Sequence, residues 1–163
     1  MARTRTRGFT LVELMVTIVV LAVLVSMAIP SFDYVKLSNR LNSYSTDLVA
    51  GSQVARSEAI KRNAVVTLCA SSNGTSCTPG GWEQGWIVLG GTVLQRQLAA
   101  PTGLKIDSGG IASLSFQPTG AGATAATFTV CRATPSVGRE ERVVTIDATG
   151  RPWVKRTTAA VCS

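Results

Sequence analysis

The segment that most restricts what this chain can become is its N-terminus, MARTRTRGFTLVELMVTIVVLAVLVSMAIP. No charge interrupts the apolar side chains from Leu14 to Ile29, while Arg3, Arg5 and Arg7 precede them and Glu13 stands at their head. Such a run has to leave water, and Phe9 to Ile29 holds 21 residues, enough as a helix at about 1.5 Å each to span the roughly 30 Å hydrocarbon core of a bilayer once. The three arginines hold the N-terminus in the cytoplasm by the positive-inside rule, so everything beyond Pro30 is expected on the periplasmic side. Pro30 lacks an N–H for the turn before it and is expected to kink or locally melt the helix.

Length then limits the rest: 163 residues suffice for one compact domain and an anchor, not for two domains with separate cores. The 45% hydrophobic content is concentrated in the N-terminal run, and the remainder reads as a soluble domain. The balance of 16 basic to 9 acidic side chains falls to 13 against 9 once the three leading arginines are set aside. Whole-chain charge therefore argues little for a nucleic-acid partner, and local clustering matters more.

Cys69, Cys77, Cys131 and Cys162 all lie beyond the apolar run. An even number on the exported side of a membrane points to two disulfides. Four cysteines allow three pairings; the favoured one joins Cys69 to Cys77 around the polar loop Ala70 to Ser76, and Cys131 to Cys162 at the terminus. A zinc site would want cysteines two to four residues apart, or histidines, and the chain has neither. With no histidine there is no Ser-His or Cys-His nucleophile pair. Glu140-Glu141 beside Arg139 and Arg142 reads as a solvated turn and not as a catalytic pair of carboxylates. The glycine-rich stretches lack the G-x-x-x-x-G-K-S/T pattern of a phosphate loop. The chain is not expected to be an enzyme, and no cofactor or metal is expected.

Two readings of the first thirty residues compete with a specialised one. A secretory signal peptide would use the arginines, Leu14 to Val25 and Ser26-Met27-Ala28 as its three regions; a plain anchor would use only the apolar run. Glu13 argues against the signal peptide, because a carboxylate near the bilayer centre costs on the order of 2 to 3 kcal/mol and persists where it later finds a positive partner. The segment Arg7-Gly8-Phe9-Thr10-Leu11-Val12-Glu13 resembles the type IV prepilin motif. That resemblance implies that a membrane prepilin peptidase cuts between Gly8 and Phe9, that Phe9 becomes the methylated N-terminus, and that Glu13, fifth in the mature chain, pairs with the N-terminal amine of a neighbouring subunit. Pilins commonly carry a proline where Pro30 stands.

From Ser31 to Asn63 only Gly51 interrupts a helical pattern in which Leu37, Leu41, Tyr44, Leu48 and Ala55 form one stripe, with Lys36, Arg40, Asp47, Arg56 and Lys61 assigned to the opposite face. Beyond Asn63, short β-branched runs alternate with turn residues. The predicted strands are Ala64 to Ala70, Gly85 to Leu89, Val93 to Leu98, Ser113 to Gln117, Ala125 to Arg132, Glu141 to Ala148 and Pro152 to Thr157. The predicted fold is α+β, a long N-terminal helix packed on antiparallel sheet. The expected layout is a leader over 1–8, a transmembrane helix over 9–29, the periplasmic half of that helix over 30–63 and a β-rich globular domain over 64–163. Trp86 is expected to fill core and Trp82 to cover a sheet edge. The order of elements, with Val65-Val66-Thr67-Leu68-Cys69, Gly81-Trp82-Glu83-Gln84-Gly85-Trp86-Ile87-Val88 and Ala148-Thr149-Gly150-Arg151, resembles the GspH/FimT group of minor pilins and pseudopilins and implies a pilin-like fold.

The resemblance implies a single-pass inner-membrane protein that joins a filament with other pilins. It leaves three roles open: a structural minor pilin of a type IV pilus in initiation and twitching, the H-type subunit of a type II secretion pseudopilus, and a pilus DNA receptor in natural transformation. For the last, Thr149 to Ser163 holds Arg151, Lys155 and Arg156 without an acidic side chain, and Trp153 among them. Cations neutralise phosphates, and an exposed ring stacks on an unpaired base. DNA-binding members of the group resemble G-R-x-R here; Gly150 and Arg151 match, and Trp153 stands in place of the second arginine. Arg139 and Arg142 extend the set, blunted by their acidic neighbours. The expected ligand is duplex DNA without sequence preference. The competing reading is an edge strand kept soluble by its charges.

Overall fold

The computed structural model describes residues 8–120, 125–134 and 140–158, and of 27–32 only the backbone. It divides into two compact units, up to Leu37 and from Ser38 onward, and helix α1, Leu11–Arg62, contributes to both. The helix is continuous across position 30, so the expected melting at Pro30 does not occur. A proline removes one N–H from the ladder, and the turns on either side keep theirs.

In the first unit the helix starts where Thr10 accepts the Glu13 backbone N–H on its hydroxyl at 3.2 Å. The four-residue spacing T-x-x-E is that of a capping box, in which a side-chain oxygen satisfies one of the orphan N–H groups of the first turn.

In the second unit the helix ends at Asn63, which adopts φ 48°. Asn63 N–H donates to Ile60 O at 3.3 Å and Ala64 N–H to Ala59 O at 3.2 Å, the pair of bonds by which a left-handed residue closes a helix. Leu41, Ser45, Leu48, Gly51, Ser52, Ala55 and Ala59 form the buried stripe. Its small members let the sheet approach, and Ser45 and Ser52 satisfy their hydroxyls on Leu41 O and Val49 O at 2.7 Å. Gly51 is the tightest point: a Cβ there would stand 2.4 Å from Cη2 of Trp86. Asp47 and Arg56 do not lie on a free outer face. Asp47 accepts from Gln97 Nε2 at 3.3 Å and Arg56 Nε donates to Gly120 O at 2.6 Å, so both flank the packed stripe.

Eight strands follow: β1 Val66–Ala70, β2 Trp86–Gly90, β3 Thr92–Gln97, β4 Leu104–Asp107, β5 Ser113–Phe116, β6 Ala126–Arg132, β7 Glu141–Ile146 and β8 Pro152–Thr157. They make two four-stranded antiparallel sheets, ordered β3-β2-β1-β5 and β4-β6-β7-β8. Strand β4 is absent from the sequence reading. Its alternation of buried Leu104 and Ile106 with Lys105 and Asp107 has the strand period, but spans only four residues.

Trp82 is itself buried where its turn packs beside β4, the outer strand of the second sheet. It sits in a 3-10 turn, Trp82–Gln84, is fully buried, and donates Nε1–H to Ile111 O at 2.6 Å. Its ring meets Phe128 of β6 edge-on at 4.7 Å, an arrangement worth roughly 0.5–1.5 kcal/mol beyond area burial. The turn thereby joins the cores of the two sheets.

Candidate functional site

At the N-terminus, Gly8 and Phe9 precede the cap residue Thr10, outside the helix. Phe9 is 76% exposed, and the apolar side chains from Leu11 to Val25 are exposed all around the helix. A helix apolar on every side has no aqueous face of its own. Among the described residues no helix is long and apolar enough to cross a membrane; the described side chains of the apolar run end at Ser26. Glu13 lies in the first turn, where a carboxylate complements the positive end of the helix dipole. Thr10 is the functional neighbour that the sequence reading missed, although the T-x-x-E spacing signalled it.

At the C-terminus, β7 and β8 form a hairpin closed by Asp147-Ala148-Thr149-Gly150. Gly150 takes φ 73°, a conformation that costs little without a Cβ. Asp147 Oδ1 accepts the Thr149 hydroxyl at 2.6 Å, the Thr149 N–H at 2.9 Å and the Arg151 N–H at 2.9 Å. The Thr149 hydroxyl and then the Arg151 N–H hold its carboxyl below the usual carboxylate range. The turn delivers Arg151 at the head of β8, the outer strand of its sheet.

The strand period separates the predicted residues. Trp153 and Lys155 stand opposite Thr145 and Val143 on one face, whereas Arg156 stands opposite Arg142 on the other. Arg151, Trp153 and Lys155 are exposed; Arg156 forms an ion pair with buried Glu140. Arg142 does not extend the patch. It is only 4% exposed, and its guanidinium donates to Asn42 Oδ1 at 2.6 Å, Ser38 Oγ at 3.0 Å and Glu141 O at 3.1 Å, with Glu140 Oε2 3.6 Å away. The segment Glu140 to Arg142 is thus a buried polar clasp onto α1 and not a solvated turn. Arg139 lies outside the described residues.

Cys69 and Cys77 are joined, with Cα atoms 5.6 Å apart. Cys131 is also disulfide-bonded; Cys162, its expected partner, lies outside the described residues. Within the Cys69–Cys77 loop, Ser71 Oγ donates to Ser76 O at 2.7 Å and Asn73 Oδ1 accepts from the Thr75 and Ser76 N–H groups at 2.9 and 3.0 Å. Among the described residues no group of three or more His, Cys, Asp or Glu side chains is placed to hold a metal ion.

Residues 45–150 match the family model described as Type II transport protein GspH, and residues 3–29 match the prokaryotic N-terminal methylation motif. The crystal structure of the Pseudomonas aeruginosa (strain PAO1) type IV minor pilin FimU in space group P21 is similar with a TM-score of 0.58 at 22% identity, over 72% of this chain and 90% of that one. The same protein in space group P65 gives a TM-score of 0.55 at 22% identity, over 71% and 92%. Those likenesses show the same α+β pilin-like fold. No curated protein sequence matches the chain.

Proposed function

The chain belongs to the GspH family of minor pilins and pseudopilins, and from that premise we propose that it is a membrane-anchored subunit that a prepilin peptidase processes and that joins a type IV pilus-type filament through α1. The observation that carries this reading is the coexistence on one chain of the methylation motif over 3–29 and the GspH match over 45–150. Cleavage between Gly8 and Phe9 frees the Phe9 amine, the group then methylated, one residue before the Thr10 cap. Glu13 then has two partners to serve, the helix dipole of its own chain and the amine of a neighbour. The apolar stretch from Phe9 to Ile29 crosses the inner membrane once, with the sheet domain on the periplasmic side until the subunit enters the filament. Sheared, purified filaments should contain this chain. Its retention in the membrane fraction while filaments assemble normally would contradict the proposal.

Within the filament we assign it the DNA-receiving role over secretion or a purely structural place, because Arg151, Trp153 and Lys155 share an exposed face. Arg151 and Lys155 offer point contacts to phosphate and no recognition helix for the major groove, so duplex DNA is bound weakly and without sequence preference. Two contacts give a salt slope of about 2 on a logarithmic plot. The double substitution Arg151→Glu, Lys155→Glu should abolish retardation of DNA in low salt and transformation, with filaments intact. Normal transformation by that variant leaves the secretion pseudopilus, the role named in the family description, as the better assignment.

A further inference from the structure

We propose that the exposed face of β8 is a base-stacking site that prefers unpaired nucleotides to duplex, with Trp153 as the platform and Arg151 and Lys155 as flanking phosphate contacts. The proposal rests on the DNA reading of this face and adds to it the class of nucleic acid.

The three tryptophans of the chain have sharply different surroundings. Trp82 and Trp86 are 1% exposed, whereas Trp153 is 47% exposed. A ring of that size left half in water on a sheet edge offers a wide apolar face to a ligand. The register shows what surrounds it. Trp153 lies opposite Thr145, which lies opposite Thr127; Lys155 lies opposite Val143, which lies opposite Thr129. These neighbours are short and β-branched, so the ring stands beside a low shelf and not in a groove.

Charge on this face is of one sign along β8. Arg151 and Lys155 are four positions apart, about 13 Å along an extended strand, which lets them reach phosphates on either side of a base resting on Trp153. Arg156 points to the other face, where Glu140 engages it. Two acids lie near: Glu141, which shares the face of Val143 and Thr145 on β7 but is fully buried, and Asp147, whose Oδ1 is occupied by the Thr149 hydroxyl and the Thr149 and Arg151 N–H groups, fixing the backbone from which Arg151 projects. A duplex presents phosphates and base edges but stacks its bases on each other, so a ring on a flat edge strand gains a π-face only from an unpaired base. Stacking of one base is sequence-tolerant and contributes about tenfold or more in affinity.

The burial of Trp82 and Trp86 makes intrinsic fluorescence a reporter of Trp153. The full chain in nonionic detergent at low salt is titrated with an oligothymidylate of about twenty nucleotides, long enough to cover one such site, and with a duplex of the same length. The oligothymidylate should quench emission, shield Trp153 from iodide and bind several-fold tighter than the duplex. Trp153→Ala should bring the two affinities together, and Trp153→Phe should retain part of the difference. If the wild-type chain binds duplex as tightly as the single strand, or Trp153→Ala keeps the preference, stacking is wrong while phosphate contact stands. If neither nucleic acid binds, the DNA reading fails and this proposal fails with it.

Discussion

Gly51 shows how far a single position constrains the fold. Alanine is favoured over glycine in a helix by about 0.8–1.0 kcal/mol, yet here its Cβ would stand 2.4 Å from a ring carbon of Trp86, a side chain itself fully buried. Overpacking of a rigid ring costs about 1–3 kcal/mol, so Gly51→Ala should lower the unfolding midpoint despite the propensity gain. A midpoint at or above wild type would mean that the ring moves aside freely. Arg142 is the second such residue. Truncation to alanine deprives Ser38 and Asn42 of their donor and leaves Glu140 paired with Arg156, a loss of about 1–3 kcal/mol for buried polar groups left unsatisfied. Chemical denaturation should show it, and a loss below 1 kcal/mol would place Arg142 in the class of surface ion pairs. Asp147 supplies a pH dependence. Its folded pKa lies below the usual value because of Thr149 and Arg151. Its contribution to the hairpin is therefore complete above the unfolded value near 3.9 and is lost as pH falls through the lower folded value. NMR titration of the Arg151 amide should report that step, and an amide shift centred at or above the unfolded value would contradict it.

At the scale of elements, the Cys69–Cys77 loop and the β7–β8 hairpin are each tied twice, by covalent or turn geometry and by side-chain hydrogen bonds. For a separation of 8 residues the chain-entropy model gives about 2.5 kcal/mol, so Cys69→Ala with Cys77→Ala should lower stability by about that amount. The fold should survive, because Ser71 and Asn73 still organise the loop; an unchanged midpoint would show that the bond constrains nothing. What was legible in the sequence follows from range. The helix stripe, the β6 alternation Ala126–Arg132 and the row Arg151, Trp153, Lys155 are written in neighbours two to four residues apart, and periodicity displays them. Arg142 was misplaced because its partners Ser38 and Asn42 are 104 and 100 residues away. Burial of Trp82 against Phe128, and the fit of Gly51 to Trp86, are likewise contacts between distant segments. Strand β4 was lost for the opposite reason: its four residues are too few for an alternation to stand out.

For the molecule as a whole, the N-terminal motif and the sheet domain make separate predictions. Deletion of the gene with parallel assays of twitching, secretion and transformation should impair transformation first, and a selective loss of secretion would reassign the subunit to a pseudopilus. Glu13→Ala should leave processing intact and reduce the amount of chain in sheared filaments, since in the proposed assembly the carboxylate pairs with a neighbour's amine; Glu13→Gln, which keeps a capping-box side chain without the charge, should not restore it. Wild-type incorporation of both variants would remove Glu13 from assembly. The proposed cleavage would remove Arg3, Arg5 and Arg7, lower the formal net charge from +7 and leave the hydrophobic helix with an amine at its head. The most direct test of the filament account is mass spectrometry of the mature chain recovered from cells with an active prepilin peptidase. The account predicts an N-terminus at Phe9 carrying a methyl group; a chain that begins at Met1, or at Ile29 after signal-peptide cleavage, would contradict it.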